Sequence, residues 1–448
     1  MVEPGEVAVW RAAWRDEALL RAAADCEPGD AASLSRLRAL VGQSDCAAEI
    51  TRATLSIVAA RTKGQAKFGD EAAGLFADAE GVEQATSRRA ARPKADRFAR
   101  LTDAGHAGPV LDLGCGIGAD AWALKEGGVP GVIAVDLDPV RTAMATENTG
   151  VSSVVADLNT IATGGALDVR GRLIHLDPAR RRRANGETRQ RRTFALEELE
   201  PGPATLRRLI ERSAGAAVKL SPGMDVQDVN EALGEGEACF YSEPVGRGEG
   251  TARKMTQAVW FTGALRNRPA VDLAASRRAV LVQADDSWDE LAGEPMDARD
   301  LNVSPLARLL VVPDPAAERA QLLHRLGLAT LHPGLGLLTC EAWPVEIPGA
   351  WGRAYEVVAD MPWRPAKVRR WLADRGAALD AVKTRGRACD PDAVLRELRG
   401  RATKNAAPGG AALTLFVLRL GRSVVAILTR PIATQPADAE AAPPRPTP

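Results

Sequence analysis

The chain has 448 residues, 46% of them hydrophobic and 26% charged, a composition that excludes wholesale disorder and allows about two to four globular domains. Lys+Arg and Asp+Glu are equal at 58 each, so no overall charge excess draws the protein to nucleic acid or membrane, and any such attraction must be local. Six scattered cysteines without a CxxC pair, and only four histidines, argue against a disulfide framework and a structural metal, and point to a reducing compartment.

In chain order, the opening "MVEPGEVAVWRAAW" lacks the basic start and apolar core of an export signal, and no apolar run approaches the length of a membrane span. A cytoplasmic protein without membrane contact is expected. From about residue 5 to residue 60, apolar residues recur at helical spacing in "ALLRAAADC", "AASLSRLRALVG" and "CAAEITRATLSIVAARTK". A helix resumes near Gln84 and carries basic residues to Arg100. From Pro109 the texture changes to strand "VLDLG", helix "ADAWALKEG", strand "VIAVDLD", helix "PVRTAMATEN", strand "SSVVADLN", strand "RLIHLDPAR", helix "PATLRRLIERS" and strand "AAVKLSP". Such alternation predicts an α/β fold with a mainly parallel sheet covered on both faces, closed by "EACFYSEP" and "MTQAVWFTG". A further α/β unit starts near Val271, ends in a hairpin across Gly421 and Arg422, and is followed by a Pro/Ala-rich tail expected to be disordered.

The stretch "VLDLGCGIGADAWAL" places Gly114, Gly116 and Gly118 between a strand and a helix, where glycine permits tight turning and close approach of a ligand to the backbone. A dinucleotide fold has a similar loop, so the glycines alone decide little. Asp112, two residues before the first glycine, would repel a pyrophosphate and attract a cationic amino group. Asp136, 24 positions later at the next strand end, suits a ribose diol. Asp157 ends the third strand, where an acid can accept from an adenine amine or merely cap a turn. An adenosine joined to a charged amino acid, without phosphates, is S-adenosylmethionine. Through "VLDLGCGIG", "AVDLD" and "VVADLN" the sequence resembles the class I methyltransferases, which implies a Rossmann-like seven-stranded sheet and S-adenosylmethionine as cofactor.

In those enzymes the acceptor lies beyond the fourth strand, here "LIHLDPARRRRANGETRQRR". Asp177, Pro178 and Ala179 keep the frame of the amine-directed motif, while Arg180 stands in place of its aromatic ring. The "DPAR" run also resembles that of uridine C5 methyltransferases, but Ser221 occupies the position of their attacking cysteine. A third pattern, the Lys-Asp-Lys-Glu set of ribose 2′-O methyltransferases, would need Asp177 and Lys219 with Lys94 and either Glu243 or Glu249. Seven arginines between Arg180 and Arg192 are either a solvated face or a loop that meets RNA phosphates.

The order of "AKFGD", "GVEQATSRRAARPKADRF", "DLGCGIGAD", "HLDPARR", "VKLSPGMD", "YEVVADMPWRPAKVRRWLADRG" and "KTRGRACDPDAVLRELR" is similar to that of bacterial class I methyltransferases carrying a C-terminal THUMP-like domain. The resemblance spans roughly residues 60 to 432; together with the helical periodicity before it and the composition of the tail, the expected organisation is a helical region over 1–90, a methyltransferase domain over 91–265, a connecting α/β region over 266–350, an α/β THUMP-like domain over 351–432 and a disordered tail over 433–448. It further implies that Glu83, Gln84, Ala85 and Ser87 open a helix over the cofactor pocket; the residue chemistry equally allows Thr86 or Ser87 to act as helix caps. Near the last strand the sequence departs from the family pattern, with Gln257 where an acid is expected. From Arg364 to Asn405 there are twelve Lys/Arg against five Asp/Glu, a local footprint for RNA, with Trp363 and Trp371 as either stacking or core residues. The expected function is methylation of RNA, tRNA or rRNA, at a base or ribose, with Asp177, Pro178, Arg180 and Lys219 at the reaction and no metal. A small-molecule methyltransferase and a non-catalytic RNA-binding protein remain alternatives.

Overall fold

The computed structural model describes residues 4–26, 31–42, 45–106, 108–165, 167–180, 196–245, 252–266, 277–344, 349–402 and 412–432. The chain forms two compact units, one of Met1–Gly246, Lys254–Ser276 and Val282–Asp289, the other of Arg247–Arg253, Arg277–Leu281 and Glu290–Pro448. Among the described residues no helix is long and apolar enough to cross a membrane.

The first unit opens with helices α1 (Pro4–Arg15), α2 (Glu17–Ala24), α3 (Ala31–Val41), α4 (Ala47–Phe68), α5 (Ala79–Gln84) and α6 (Arg88–Asp103). Side-chain caps start several of them: Asp16 accepts from the Leu19 amide, Asp78 from Gly81 and Ser87 from Ala90. Next come β1 (Val110–Leu113), α7 (Ala119–Glu126), β2 (Val132–Asp136), α8 (Pro139–Thr149), β3 (Ser152–Val155), α9 (Leu158–Ala162) and β4 (Leu173–Leu176). A two-residue ribbon of β5 (Ala179–Arg180) and β6 (Leu199–Glu200) precedes α10 (Pro203–Arg212), β7 (Gly215–Leu220), α11 (Val226–Leu233), β8 (Glu237–Pro244) and β9 (Arg253–Phe261); the residues of β10 (Arg277–Val282) and β11 (Trp288–Gly293) are divided between the two units.

The main sheet runs β11-β10-β8-β9-β7-β4-β1-β2-β3. Strands β7, β4, β1, β2 and β3 are parallel, and β9 joins β7 antiparallel. The expected closing strands are thus β8 and β9; the sheet counts nine strands rather than seven because β10 and β11 extend it past β8. Every residue of β1 and β4 is buried, as a central parallel strand covered on both faces requires. Ile117, in the glycine loop, packs into a core with Ile57, Phe68, Phe76, Val82 and Met144, so the N-terminal helices brace the turn from outside the sheet. Trp14 stacks on Phe76 with ring centroids 4.9 Å apart in the same cluster.

The second unit adds β12 (Leu309–Pro313), α12 (Pro315–Arg319), β13 (Ala329–Thr330), β14 (Leu338–Cys340), β15 (Gly352–Pro362), α13 (Pro365–Asp374), β16 (Leu379–Arg385), α14 (Pro391–Ala402), β17 (Leu413–Leu420) and β18 (Ser423–Pro431). Its sheet order is β13-β14-β12-β15-β18-β17-β16. The β17–β18 hairpin turns at Gly421 and Arg422 as expected, with Leu420 paired to Ser423. One cluster gathers Val368 and Leu372 of α13, Val394 and Leu398 of α14 and Leu415 and Leu428 of the hairpin; Trp363 and Trp371 pack against it, in the core role the sequence left open. A second cluster holds Leu335, Leu337, Tyr355, Phe416 and Ile427. The tail and most of the arginine run lie outside the described residues.

Candidate active site

A cleft of about 880 Å³ lies where β1, β2, β4 and β7 end, within the size range of small-molecule sites. The glycine turn forms its floor. Gly114 has φ +81°, and a Cβ there would stand 2.5 Å from the carbonyl oxygen of Asp177, so only glycine lets the ends of β1 and β4 approach this closely. Gly116 faces open space and donates its amide to Asp136 Oδ2 at 2.9 Å. The Asp138 amide donates to Asp136 Oδ1 at 3.0 Å, so both carboxylate oxygens are fixed. Burial raises the Asp136 pKa against the pull of those two amides. Gly118 is not part of the lining: it starts α7, and a Cβ there would lie 2.8 Å from Ala145 Cα, so it serves the packing of α7 on α8.

Asp157 lines the cleft and accepts from the Asn159 amide at 2.8 Å, capping α9 while facing the cavity. Leu137, Leu158 and Asn159 complete this end. Leu137, 67% exposed between Asp136 and Asp138, was missed in the sequence; an apolar side chain between two acids at a strand end is the signal that marks it. Its exposed face suits the flat, apolar surface of a purine.

Asp112 does not reach the cleft lining. It is fully buried, and its Oδ1 lies 2.7 Å from His175 Nδ1 on the neighbouring strand, where the two residues are paired in register. Lys94 Nζ is 2.9 Å from His175 Nε2 and 2.6 Å from Asp120 Oδ1. An ammonium only donates, so these partners assign the imidazole proton to Nδ1, facing Asp112. Asp120 Oδ2 accepts from Thr86 at 2.8 Å. Burial alone would raise the Asp120 pKa, but the Lys94 ammonium against it, with Lys219 beyond, outweighs burial and holds the carboxyl well below the usual range. The acid beside the glycine turn that lines the cleft is therefore Asp120, while Asp112 takes its hydrogen bond from the His175 imidazole inside the protein.

At the other end, Asp177, Pro178, Lys219 and Ser221 line the cleft with Gln84 and Ala85. Lys219 Nζ donates to Asp177 Oδ2 at 2.7 Å and to the Gln84 carbonyl at 3.2 Å. Burial disfavours the Lys219 charge, but Asp177, Asp120 and Asp112 outweigh it and raise the pKa, so the ammonium persists. The Lys-Asp-Lys-Glu set does not assemble among the described residues. Lys94 is bound to Asp120 and His175 below the cleft, Glu243 accepts from Ser87 at 2.5 Å outside the lining, and Glu249 lies outside the described residues. The Arg180 backbone pairs with Leu199, while its side chain and residues 181–192 fall outside the description. Gln257 is buried away from the lining and donates to the Ala90 carbonyl at 2.9 Å. Of the readings of "EQATS", the cap is seen at Ser87, which starts α6, whereas Glu83 and Gln84 end α5 rather than open a helix; Gln84 and Ala85 line the cleft, and Glu83 turns out to Lys63.

Comparison with known proteins agrees with this geometry. A family described as THUMP domain-like matches residues 352–431. An uncharacterized S-adenosylmethionine-dependent methyltransferase of Mycobacterium tuberculosis, in two strains, is 31% identical over 364 residues, covering 79% of this chain and 87% of the relative. A crystal structure of a methyltransferase from Porphyromonas gingivalis W83 superposes with a TM-score of 0.65 at 20% identity, covering 96% of this chain and 99% of that one, and shows the shared fold. With the mycobacterial relative matched over most of its length, the chain belongs to the S-adenosylmethionine-dependent methyltransferases, with a THUMP-like domain in its C-terminal part.

Proposed function

We propose that the cleft binds S-adenosylmethionine and that the protein methylates RNA, a tRNA or rRNA, with the acceptor atom held beside Asp177 and Lys219. The observation that carries this reading is one continuous cleft with two chemically different ends: Gly116, Asp136, Leu137 and Asp157 at one, Asp177, Pro178 and Lys219 at the other. The first set fits the cofactor. Gly116 leaves room against the backbone, the Asp136 carboxylate is oriented by two amides, and Leu137 offers an exposed apolar face. When bound, the cofactor supplies an electrophilic methyl group on a positively charged sulfur.

The protein's own part is positioning and charge. Lys219 stays protonated and holds one Asp177 oxygen, which leaves the other to accept a hydrogen bond from the acceptor group and orient it. Covalent base attack is disfavoured. Ser221 has no thiol, and burial pushes the pKa of the cleft cysteine, Cys115, far up, so no thiolate forms. Among the described residues Lys94 and Glu243 lie outside the cleft lining that holds Asp177 and Lys219, which favours a base over ribose.

Support for RNA comes from the THUMP-like domain, whose α13 exposes Lys367, Arg369 and Arg370, followed by exposed Arg375. Nucleoside mass spectrometry of tRNA and rRNA from a strain lacking the gene tests the reading by the loss of one methylated nucleoside. Binding of S-adenosylhomocysteine by the purified protein without any salt-dependent RNA affinity would instead assign a small-molecule acceptor.

A further inference from the structure

Helix α5 is short, and its last carbonyls have no partner within the helix. The Ala85 amide closes back on Gly81, leaving the carbonyls of Val82, Glu83, Gln84 and Ala85 to be satisfied from elsewhere. Two lysines supply all four bonds. Lys67, in the last turn of α4, donates to Val82 at 2.8 Å, to Glu83 at 2.6 Å and to Ala85 at 2.6 Å. Lys219 takes the fourth, Gln84, at 3.2 Å. An ammonium has three N–H donors, so Lys67 is saturated by the turn and has none left for a ligand. The turn it grips carries Gln84 and Ala85, two residues of the cleft lining.

We propose that Lys67 is a positioning residue for the methyl-transfer site: its ammonium sets the Val82–Ala85 turn against the cofactor and, through the Gln84 carbonyl, fixes the Lys219 that holds Asp177. The inference rests on the cleft being the cofactor site.

The charges around Lys67 come from several elements. Lys219 of β7, Lys254 of β9, Glu243 of β8 and Glu83 of α5 face it, and on its own helix Lys63 pairs with Glu83 at 2.6 Å. Burial, with Lys219 and Lys254, lowers the Lys67 pKa to about 8 against the opposing pull of Glu243 and Glu83. A neutral amine has two N–H donors, so above that pH one of the three carbonyls loses its partner. An arginine at this position stays charged throughout.

The test compares the full chain with K67R and K67M by calorimetric titration of S-adenosylhomocysteine below and above pH 8, and by amide hydrogen exchange without ligand. K67M is expected to weaken binding about tenfold at both pH values and to speed exchange at Ala85 to Ser87 while β1 stays protected. The unmodified protein is expected to lose affinity several-fold more steeply than K67R as pH rises; the nucleoside's own titration is common to both and cancels. Unchanged binding and unchanged exchange in K67M would overturn the proposal, as would identical pH profiles for the unmodified protein and K67R. If the unmodified protein binds no nucleoside at any pH, the cofactor reading fails, while the exchange measurement still decides whether Lys67 holds the turn.

Discussion

Lys219 and Asp177 form an ion pair of 2.7 Å across β7 and the end of β4, one step beyond the register pair of Leu176 with Val218. The parallel register therefore builds the pair: Asp177, just past the end of β4, comes level with Lys219, which is still paired to β9, and the two carry opposite charges into the cleft. D177N removes the carboxylate without changing its volume. It is expected to lower kcat by about a hundredfold or more while leaving S-adenosylhomocysteine affinity within about twofold. Steady-state kinetics alongside calorimetry check this split, and an equal loss in both quantities would place Asp177 in cofactor binding instead.

Asp136 gives a pH dependence with a definite sign. Its pKa is raised from 3.8 by burial, so the folded protein takes up the proton at higher pH than the unfolded chain does. Its contribution to folding stability therefore falls as pH rises through that window. Cofactor affinity runs the other way, because the carboxylate must be ionised to accept from the ribose. Calorimetric affinity for S-adenosylhomocysteine should thus begin to fall, on acidification, above the pH at which an exposed aspartate protonates, and D136A should bind at least about tenfold more weakly near neutral pH. A flat acid limb would contradict the assignment.

The glycine turn separates space from conformation. G116A puts a methyl group into the open cleft at φ +53°, with an expected stability cost of about 1–2 kcal/mol and weakened cofactor binding. G114A adds a clash with the Asp177 carbonyl to the same kind of backbone strain, so its unfolding midpoint in urea should drop further. A G114A protein as stable as G116A would show that the β1 and β4 ends part without cost.

Lys94 is buried between Asp120 and His175, and K94M would leave a buried carboxylate without its cation. The expected loss is about 3–5 kcal/mol, read from urea unfolding of the full chain. Restoring most of that stability with D120N in the same chain would confirm that the cost lies in the uncompensated charge.

Much of this architecture is legible in the sequence because parallel α/β units repeat a local rule: each strand ends in a turn at one edge of the sheet. The spacing of Asp136, Asp157 and Asp177 along the chain places all three around the same cleft. The glycine loop, the alternation of elements and the C-terminal hairpin are likewise local patterns of periodicity and turn chemistry.

What the tertiary structure alone decided is the partner of each buried charge. Asp112 reads as a ligand-facing acid until β4 brings His175 beside it and α6 adds Lys94; that same lysine is thereby withdrawn from the acceptor set. Asp120, Leu137 and Lys67 acquire their roles from contacts with residues distant in the chain, such as Thr86 and His175 beside Asp120, or from exposure at the cleft, which no local pattern encodes. Strand and helix follow from short-range backbone and side-chain periodicity, whereas the pairing of a charge depends on which elements pack together, and that is settled only when the chain is folded.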